Sequence, residues 1–312
     1  MKTKSKSSIR AVYHSIGGVV CAGAVLLIST NAQAQNLFVS DIQFHIPFPP
    51  PPPSSTIIEI TLSGAQSTFA SGLTVSYGLA FNTAGNLFEA DLQSGNIYEF
   101  TPGGAQSTFA SGLHQPNGLA FNSAGDLFVT ESGTGPVNTG TINKFTPGGV
   151  KSTFASGLNP TALAINSAGD LFVTDIESQS IYEFTPGGAQ STFASGLYHP
   201  FGLAFNSAGD LFESDGGSGN IYEFTPGGVQ STFASGLYLP LGLAFNSAGD
   251  LFVADKGSGN IYEFTPDGVK STFASGLNPT GLAFQPVPEP SALGLLAVGP
   301  IALLVRRRNL AA

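Results

Sequence analysis

The segment Ser-Thr-Phe-Ala-Ser-Gly-Leu occurs six times, starting at Ser67, Ser107, Ser152, Ser191, Ser231 and Ser271, with spacings of 40, 45, 39, 40 and 40 residues. One such unit cannot bury its own apolar face, so a chain built this way must stack its copies or close them into a ring. A period of about 40–45 residues with strand-like content is that of a propeller blade. Each unit reads as four short runs. In the fifth full copy these are Gly242–Phe245, Leu251–Asp255, Ile261–Thr265 and Ser271–Ser275. Between them lie Ser247-Ala248-Gly249-Asp250, Lys256-Gly257-Ser258-Gly259-Asn260 and Pro266-Asp267-Gly268. Gly and Asn supply positive φ at such turns and Pro presets their entry. Phe, Tyr, Ile, Val and Thr suit the runs to strands. No helical period appears between the two ends of the chain.

Counting the runs predicts how the array closes. The first run occurs six times, ending with Gly281-Leu282-Ala283-Phe284, and so do the third and fourth, beginning with Ile57–Ile60 and Ser67–Ser71. The second occurs five times inside the array. Its missing copy is at the front: Asn36-Leu37-Phe38-Val39-Ser40-Asp41 matches Asp170-Leu171-Phe172-Val173-Thr174-Asp175. The expectation is an all-β, six-bladed β-propeller over residues 35–286, with four antiparallel strands per blade. N-terminal strands would pair with the C-terminal strand, which removes the open seam. Residues 42–56, with prolines at 49–53, read as a loop insertion, and Ser132–Thr141 as a second one.

The ends read as addresses. Residues 1–34 carry Lys2, Lys4, Lys6 and Arg10, an apolar stretch from Ile16 to Ile28, and Ala32-Gln33-Ala34, the order of a secretory signal peptide. The apolar stretch is well short of the ~20 residues of a spanning helix. At the other end, Val287-Pro288-Glu289-Pro290-Ser291 precedes an apolar stretch from Ala292 to Val305 and then Arg306-Arg307-Arg308. This order, over residues 287–312, resembles the PEP-CTERM sorting signal of Gram-negative bacteria. The prolines keep the motif extended, and the arginines hold the far end of the apolar stretch on the cytoplasmic side. The resemblance implies export across the inner membrane and transient insertion of the C-terminal segment. It implies signal peptidase and an exosortase as processing partners, and cell-surface attachment or release outside the cell.

Between these ends the chain holds four lysines against nineteen acidic residues, a net charge of −15. That excludes the basic face a nucleic-acid binder needs. It also repels anionic polymers while tolerating cations and neutral sugars. The single cysteine, Cys21, lies in the leader, so no disulfide framework or thiolate metal site is expected.

The segments Pro116-Asn117-Gly118-Leu119-Ala120-Phe121 and Gly125-Asp126-Leu127-Phe128-Val129, echoed in all six units, resemble NHL-repeat propellers and, more loosely, gluconolactonase and streptogramin-lyase propellers. Gluconolactonase-like enzymes hold a divalent metal at the channel mouth. The matching positions here are Tyr77, Asn117, Thr161, Phe201, Leu241 and Thr280, of which Asn117 alone fits, so no metal or other cofactor is expected. Streptogramin lyases use a His and a Glu there. His114 and His199 fall in the expected top loops, either as proton-transfer groups or as solvent-exposed imidazoles. Glu89 and Glu213 replace the Val of the second run, either as catalytic carboxylates or on a solvent-facing strand surface. The acids closing each second run (Asp41, Asp91, Glu131, Asp175, Asp215 and Asp255) read as turn caps or an exposed face. The glutamates of the third run read in the same way. The top loops differ between copies where the bottom turns repeat, and loops carry both variability and function. Tyr77, Tyr198, Phe201 and Tyr238 would give that face an aromatic surface suited to a neutral glycan or a protein loop. The reading is a surface or matrix binding module for polysaccharide or envelope protein. The alternative is a secreted lactone hydrolase or streptogramin-lyase-like enzyme working at the channel mouth.

Overall fold

A computed structural model describes residues 35–43, 54–133, 135 and 139–286. The leader and the residues of the proposed sorting signal, including Pro288, Glu289, Pro290 and Arg306–Arg308, lie outside the described residues. So does the proline run at 49–53.

The described chain forms twenty-four strands in six four-stranded antiparallel sheets. The chain opens with β1 (Leu37–Gln43), β2 (Ser54–Ile60) and β3 (Gln66–Leu73). Blade 1 follows as β4 (Ser76–Phe81), β5 (Leu87–Asp91), β6 (Asn96–Phe100) and β7 (Gln106–Ala110). Blades 2 to 5 repeat this order over residues 116–158, 160–195, 200–234 and 240–275. The final strand, β24 (Pro279–Phe284), joins β1, β2 and β3 as blade 6, in the order β24-β1-β2-β3. Leu37 pairs with Phe284, Phe38 with Ala283 and Val39 with Leu282, so the ring closes through its two ends as the run count requires.

Two boundaries differ from the sequence expectation. The β1–β2 hairpin zips further, through Asp41↔Thr56, Ile42↔Ser55 and Gln43↔Ser54, so the insertion between strands narrows to residues 44–53. The inner strands also start two residues earlier, at Pro116, Pro160, Pro200, Pro240, Pro279 and, in blade 1, Ser76. A Pro with a Gly two residues on reads as a loop, but here both sit on a bulge between the first and second strands.

The core lies between blades. Each second-strand Phe meets the fourth-strand Phe of its own blade edge-on, as in Phe172–Phe193 at 4.9 Å and 89°, and in five of the six blades it meets the first-strand Phe of the next blade as well, as in Phe172–Phe205 at 5.2 Å and 79°. Such pairs add about 0.5–1.5 kcal/mol each beyond buried area. In every blade the fourth strand carries a bulge at this Phe, for example Ile97↔Ala110 followed by Tyr98↔Thr108 around Phe109. The bulge turns the ring inward and bends the exposed outer edge away from pairing with another chain.

The acids that close the second strands are buried caps. Asp41, Asp91, Glu131, Asp175, Asp215 and Asp255 each accept the backbone N–H of the loop entering their own blade, at Asn278, Thr74, His114, Asn159, Tyr198 and Tyr238. In blade 6 that bond joins residues 237 apart and clamps the two chain ends. The bottom turns are held locally: Asn122 Oδ1 accepts from the Ala124 and Asp126 N–H groups at 3.0 and 2.8 Å.

Asp175 accepts the Asn159 and Ser178 N–H groups at 2.7 and 2.9 Å. Hydrogen bonds to a charged acceptor contribute about 1.5–3 kcal/mol each. Asp175→Ala is therefore expected to destabilise the fold by roughly 2–4 kcal/mol. Urea denaturation checks this, and Glu177→Ala on the exposed loop beside it is the unaffected control.

Candidate functional site

Loops between second and third strands, and those between blades, share one face: Leu113 N–H donates to Gly95 O at 2.9 Å, and Leu237 N–H to Gly219 O at 3.0 Å. This is the top face expected from the alternation of runs. At its centre Tyr77, Asn117, Thr161, Phe201, Leu241 and Thr280 line a cavity of about 110 Å³ together with the Gly and Leu that follow in each inner strand. Drug-sized ligands take roughly 300–1,000 Å³, so the cavity is smaller than one such ligand needs.

The channel is narrow because neighbouring inner strands touch backbone to backbone. A Cβ on Gly78 would lie 2.1 Å from Asn117 O, and one on Gly281 would lie 1.8 Å from Tyr77 O. The ring hydroxyls are also committed. Thr161 Oγ1 lies 3.1 Å from Pro200 O, Thr280 Oγ1 donates to Ser76 O at 2.9 Å, and both threonines are buried. Tyr77, Asn117 and Phe201 remain partly open to the mouth. Lys256 reaches over it from blade 5, with Nζ 5.8 Å from the centre of the Tyr77 ring. Burial pushes the Tyr77 phenol above its usual range and the Lys256 ammonium below its own.

Beside the mouth, blades 4 and 5 carry an aromatic shelf. The Tyr198 ring lies on the backbone of Gly217, whose N–H donates to Tyr198 O at 2.8 Å. Tyr238 lies on Gly257 in the same way, with a bond of 2.7 Å, and Phe201 lies against Gly216. A Cβ at Gly217 or Gly257 would strike the tyrosine ring at 2.3 or 2.4 Å, so glycine here makes room for the aromatic. His199 stacks on Tyr198 at 4.7 Å and 23°. His199 and Leu239 hold φ of 55° and 60°, a left-handed backbone that costs of order 1–3 kcal/mol in such residues. Tyr198 and Tyr238 stay 53% and 70% exposed.

The sequence candidates therefore divide. Tyr198 and His199 stack on one loop with Phe201 close behind, Tyr238 takes the equivalent place on the next blade, and Tyr77 and Asn117 line the mouth beside Phe201. His114 lies apart, in a hollow between blades 1 and 2 with Val75, Leu92 and Gln115. No three His, Cys, Asp or Glu side chains converge on one point among the described residues. Lys256 was missed, since one lysine in a turn carries no sequence signal of reaching across a channel.

The solvent-facing reading of Glu89 and Glu213 is corrected. Neither faces solvent nor lines the channel: both are 0% exposed, and all four carboxyl oxygens lack a hydrogen-bond partner. Burial, with Asp91 or Asp215 two residues on, pushes both carboxyls well above the usual range. Of the third-strand glutamates, Glu59 and Glu99 accept from Asn36 and Asn86 at 2.6 and 2.7 Å, while Lys144 in the remaining blade pairs with Asp126 at 2.7 Å.

No family model and no curated protein matches the chain. Solved structures do match in fold. A chain of a nidogen/laminin complex superposes with a TM-score of 0.69 at 19% identity, covering 81% of this chain and 99% of that one. A protein regarded as a gluconolactonase gives 0.59 at 18%, covering 71% and 88%. Virginiamycin B lyase from Staphylococcus aureus gives 0.59 at 16%, covering 79% and 91%. At these identities the likeness is one of fold: a six-bladed propeller whose structural neighbours include a protein-binding complex and lactonase- and lyase-type propellers.

A carboxyl whose folded pKa is raised stabilises most below its unfolded value, and that stability is lost as pH rises toward the folded pKa. For Glu213 the loss begins near pH 4.5 and amounts to about 1.4 kcal/mol per pH unit until the buried group ionises. Glu213→Val, which restores the residue of four other blades, is expected to flatten this part of the stability–pH curve and raise stability at pH 7–8. Denaturant midpoints from pH 4 to 8 test it. An unchanged curve would contradict the neutral buried acid.

Proposed function

We propose that this chain is an exported, cell-surface or extracellular-matrix propeller that binds polysaccharide or an envelope protein on its top face. The exposed rings of Tyr198, His199 and Tyr238, with half-buried Phe201 at the mouth, carry the reading. The glycines beneath the rings make room for them, which a solubilising loop does not need. Rigid aromatics offer large contact area at low entropy cost, and their polar tips suit a sugar or a protein loop. The shut throat supports surface docking over insertion into a pocket. The nidogen/laminin neighbour supports it as a precedent of fold. On this reading residues 1–34 direct export, and residues 287–312 pass through the inner membrane to an exosortase.

The enzyme alternative rests on fold likeness. A catalytic metal needs about three protein ligands, and Asn117 is the one open oxygen ligand of that kind in the ring. Metal-dependent lactone turnover abolished by Asn117→Ala would favour it.

Glycan-array and pull-down measurements on the purified chain test the binding reading. Tyr198→Ala and Phe201→Ala are expected to weaken capture at least tenfold with the melting temperature unchanged, while His114→Ala leaves capture intact. Capture that survives both shelf variants would overturn the assignment of the shelf.

A further inference from the structure

The two buried glutamates have unequal surroundings. Both stand where Val39, Val129, Val173 and Val253 stand in the other blades. Beside Glu213 the inner strand begins with Pro200, and the nearby Thr174 hydroxyl is committed to Ala162 N–H at 2.9 Å and Phe201 O at 2.8 Å. Beside Glu89 the chain departs from the other blades at adjoining places. Ser76 replaces the proline that opens all five other inner strands. Its hydroxyl lies 2.9 Å from the Ser40 hydroxyl across the seam between blades 6 and 1. Ser55 Oγ accepts Ser76 N–H at 3.1 Å. The Ser76 hydroxyl and the Asp91 carboxylate are the side chains that act on the Glu89 carboxyl. Ser40, Ser55, Ser76 and Glu89 are all 0% exposed.

Glu89 thus presents two unpartnered oxygens, at a position where four other blades carry valine, into a seam where Ser76 replaces proline and stands 2.9 Å from Ser40. An ionised carboxylate left alone in such a place costs several kcal/mol. A proton removes that cost, and so does a cation. Asp91 brings a second negative charge nearby, so a divalent ion balances the seam where a monovalent one leaves it anionic. Hard cations take carboxylate, hydroxyl and carbonyl oxygens together. We propose that the seam between blades 6 and 1 holds one hard divalent cation of the calcium class, bound through Glu89 with oxygens of Ser40 and Ser76. The site lies behind the channel ring, where Thr280 Oγ1 donates to Ser76 O at 2.9 Å and to Ser40 O at 3.2 Å, and away from the loops that carry Tyr198 and Tyr238. Ser40 comes from the first strand of the chain, and Ser76 from the blade packed beside it. The ion therefore staples the join at which the ring closes and exchanges with the proton of Glu89.

The test is thermal unfolding of the full chain at pH 7.5 after chelator treatment, with added CaCl2, MgCl2 or NaCl, and calorimetric titration of CaCl2. Calcium at a hundredfold excess over its Kd is expected to raise the wild-type Tm by roughly 5–10 °C, with one ion bound. Glu89→Val should abolish the shift and Ser76→Pro should reduce it, since each restores the residue of other blades. Glu213→Val should keep it. An absent calcium response in the wild type, or one that persists in Glu89→Val, overturns the proposal, as does an equal response to sodium.

Discussion

At five of six junctions the inner strands meet around the axis more closely than a side chain allows, and the rest of the molecule follows from that contact. Gly78 faces the carbonyl of Asn117, Gly118 that of Thr161, Gly202 that of Leu241, Gly242 that of Thr280 and Gly281 that of Tyr77. Blade 3 carries Ala162 at the corresponding position. Each contact joins one blade to the next, so the series returns to its start only in a closed ring. It also brings six leucines into a girdle below the mouth and leaves a cavity of about 110 Å³.

The clamps on the second-strand acids serve the same geometry. Strands packed this tightly need their entering loops fixed, and a buried carboxylate that accepts a loop N–H does so in every blade. Where an adjoining residue is a hydroxyl, it bridges to the next blade: Thr130 Oγ1 accepts Gly118 N–H at 2.7 Å and donates to Thr161 O at 2.9 Å. Blades 1 and 5 carry Ala90 and Ala254 there instead. The polar inventory of the interior is therefore mostly inter-blade mortar, and Glu89 and Glu213 stand out as fully buried carboxyls that clamp no loop.

The architecture was legible because a strand period of two, turn residues and a count of runs are local signals that agree with one another. The displaced front copy at Leu37–Asp41 gave the closure, and its pairing with Leu282–Phe284 is what that displacement requires. The ring positions at Tyr77, Asn117, Thr161, Phe201, Leu241 and Thr280 were legible for the same reason, since repeats fix equivalent places. What stayed hidden depends on the direction of a side chain. A Glu in a strand reads alike whether its face meets solvent or a neighbouring blade. The exchange of Pro for Ser76 was visible among the six copies, but its meaning depends on Glu89 and Ser40 lying across one seam. The packing of Tyr198 on Gly217 and of Tyr238 on Gly257 likewise depends on loops that meet only in the folded blade.

Glu89 and Glu213 sit in blades 1 and 4, half a turn apart, and so do Tyr77 and Phe201 at the mouth. Thr161 and Thr280 form another opposed pair, in blades 3 and 6. The ring thus carries a two-fold pattern on its six-fold frame, broken by Ser76 on one side and by the shelf on the other. The chain ends add a direction to this asymmetry. Leu37 and Phe284 pair at the bottom, opposite the variable loops, so both connections leave the disc from one face.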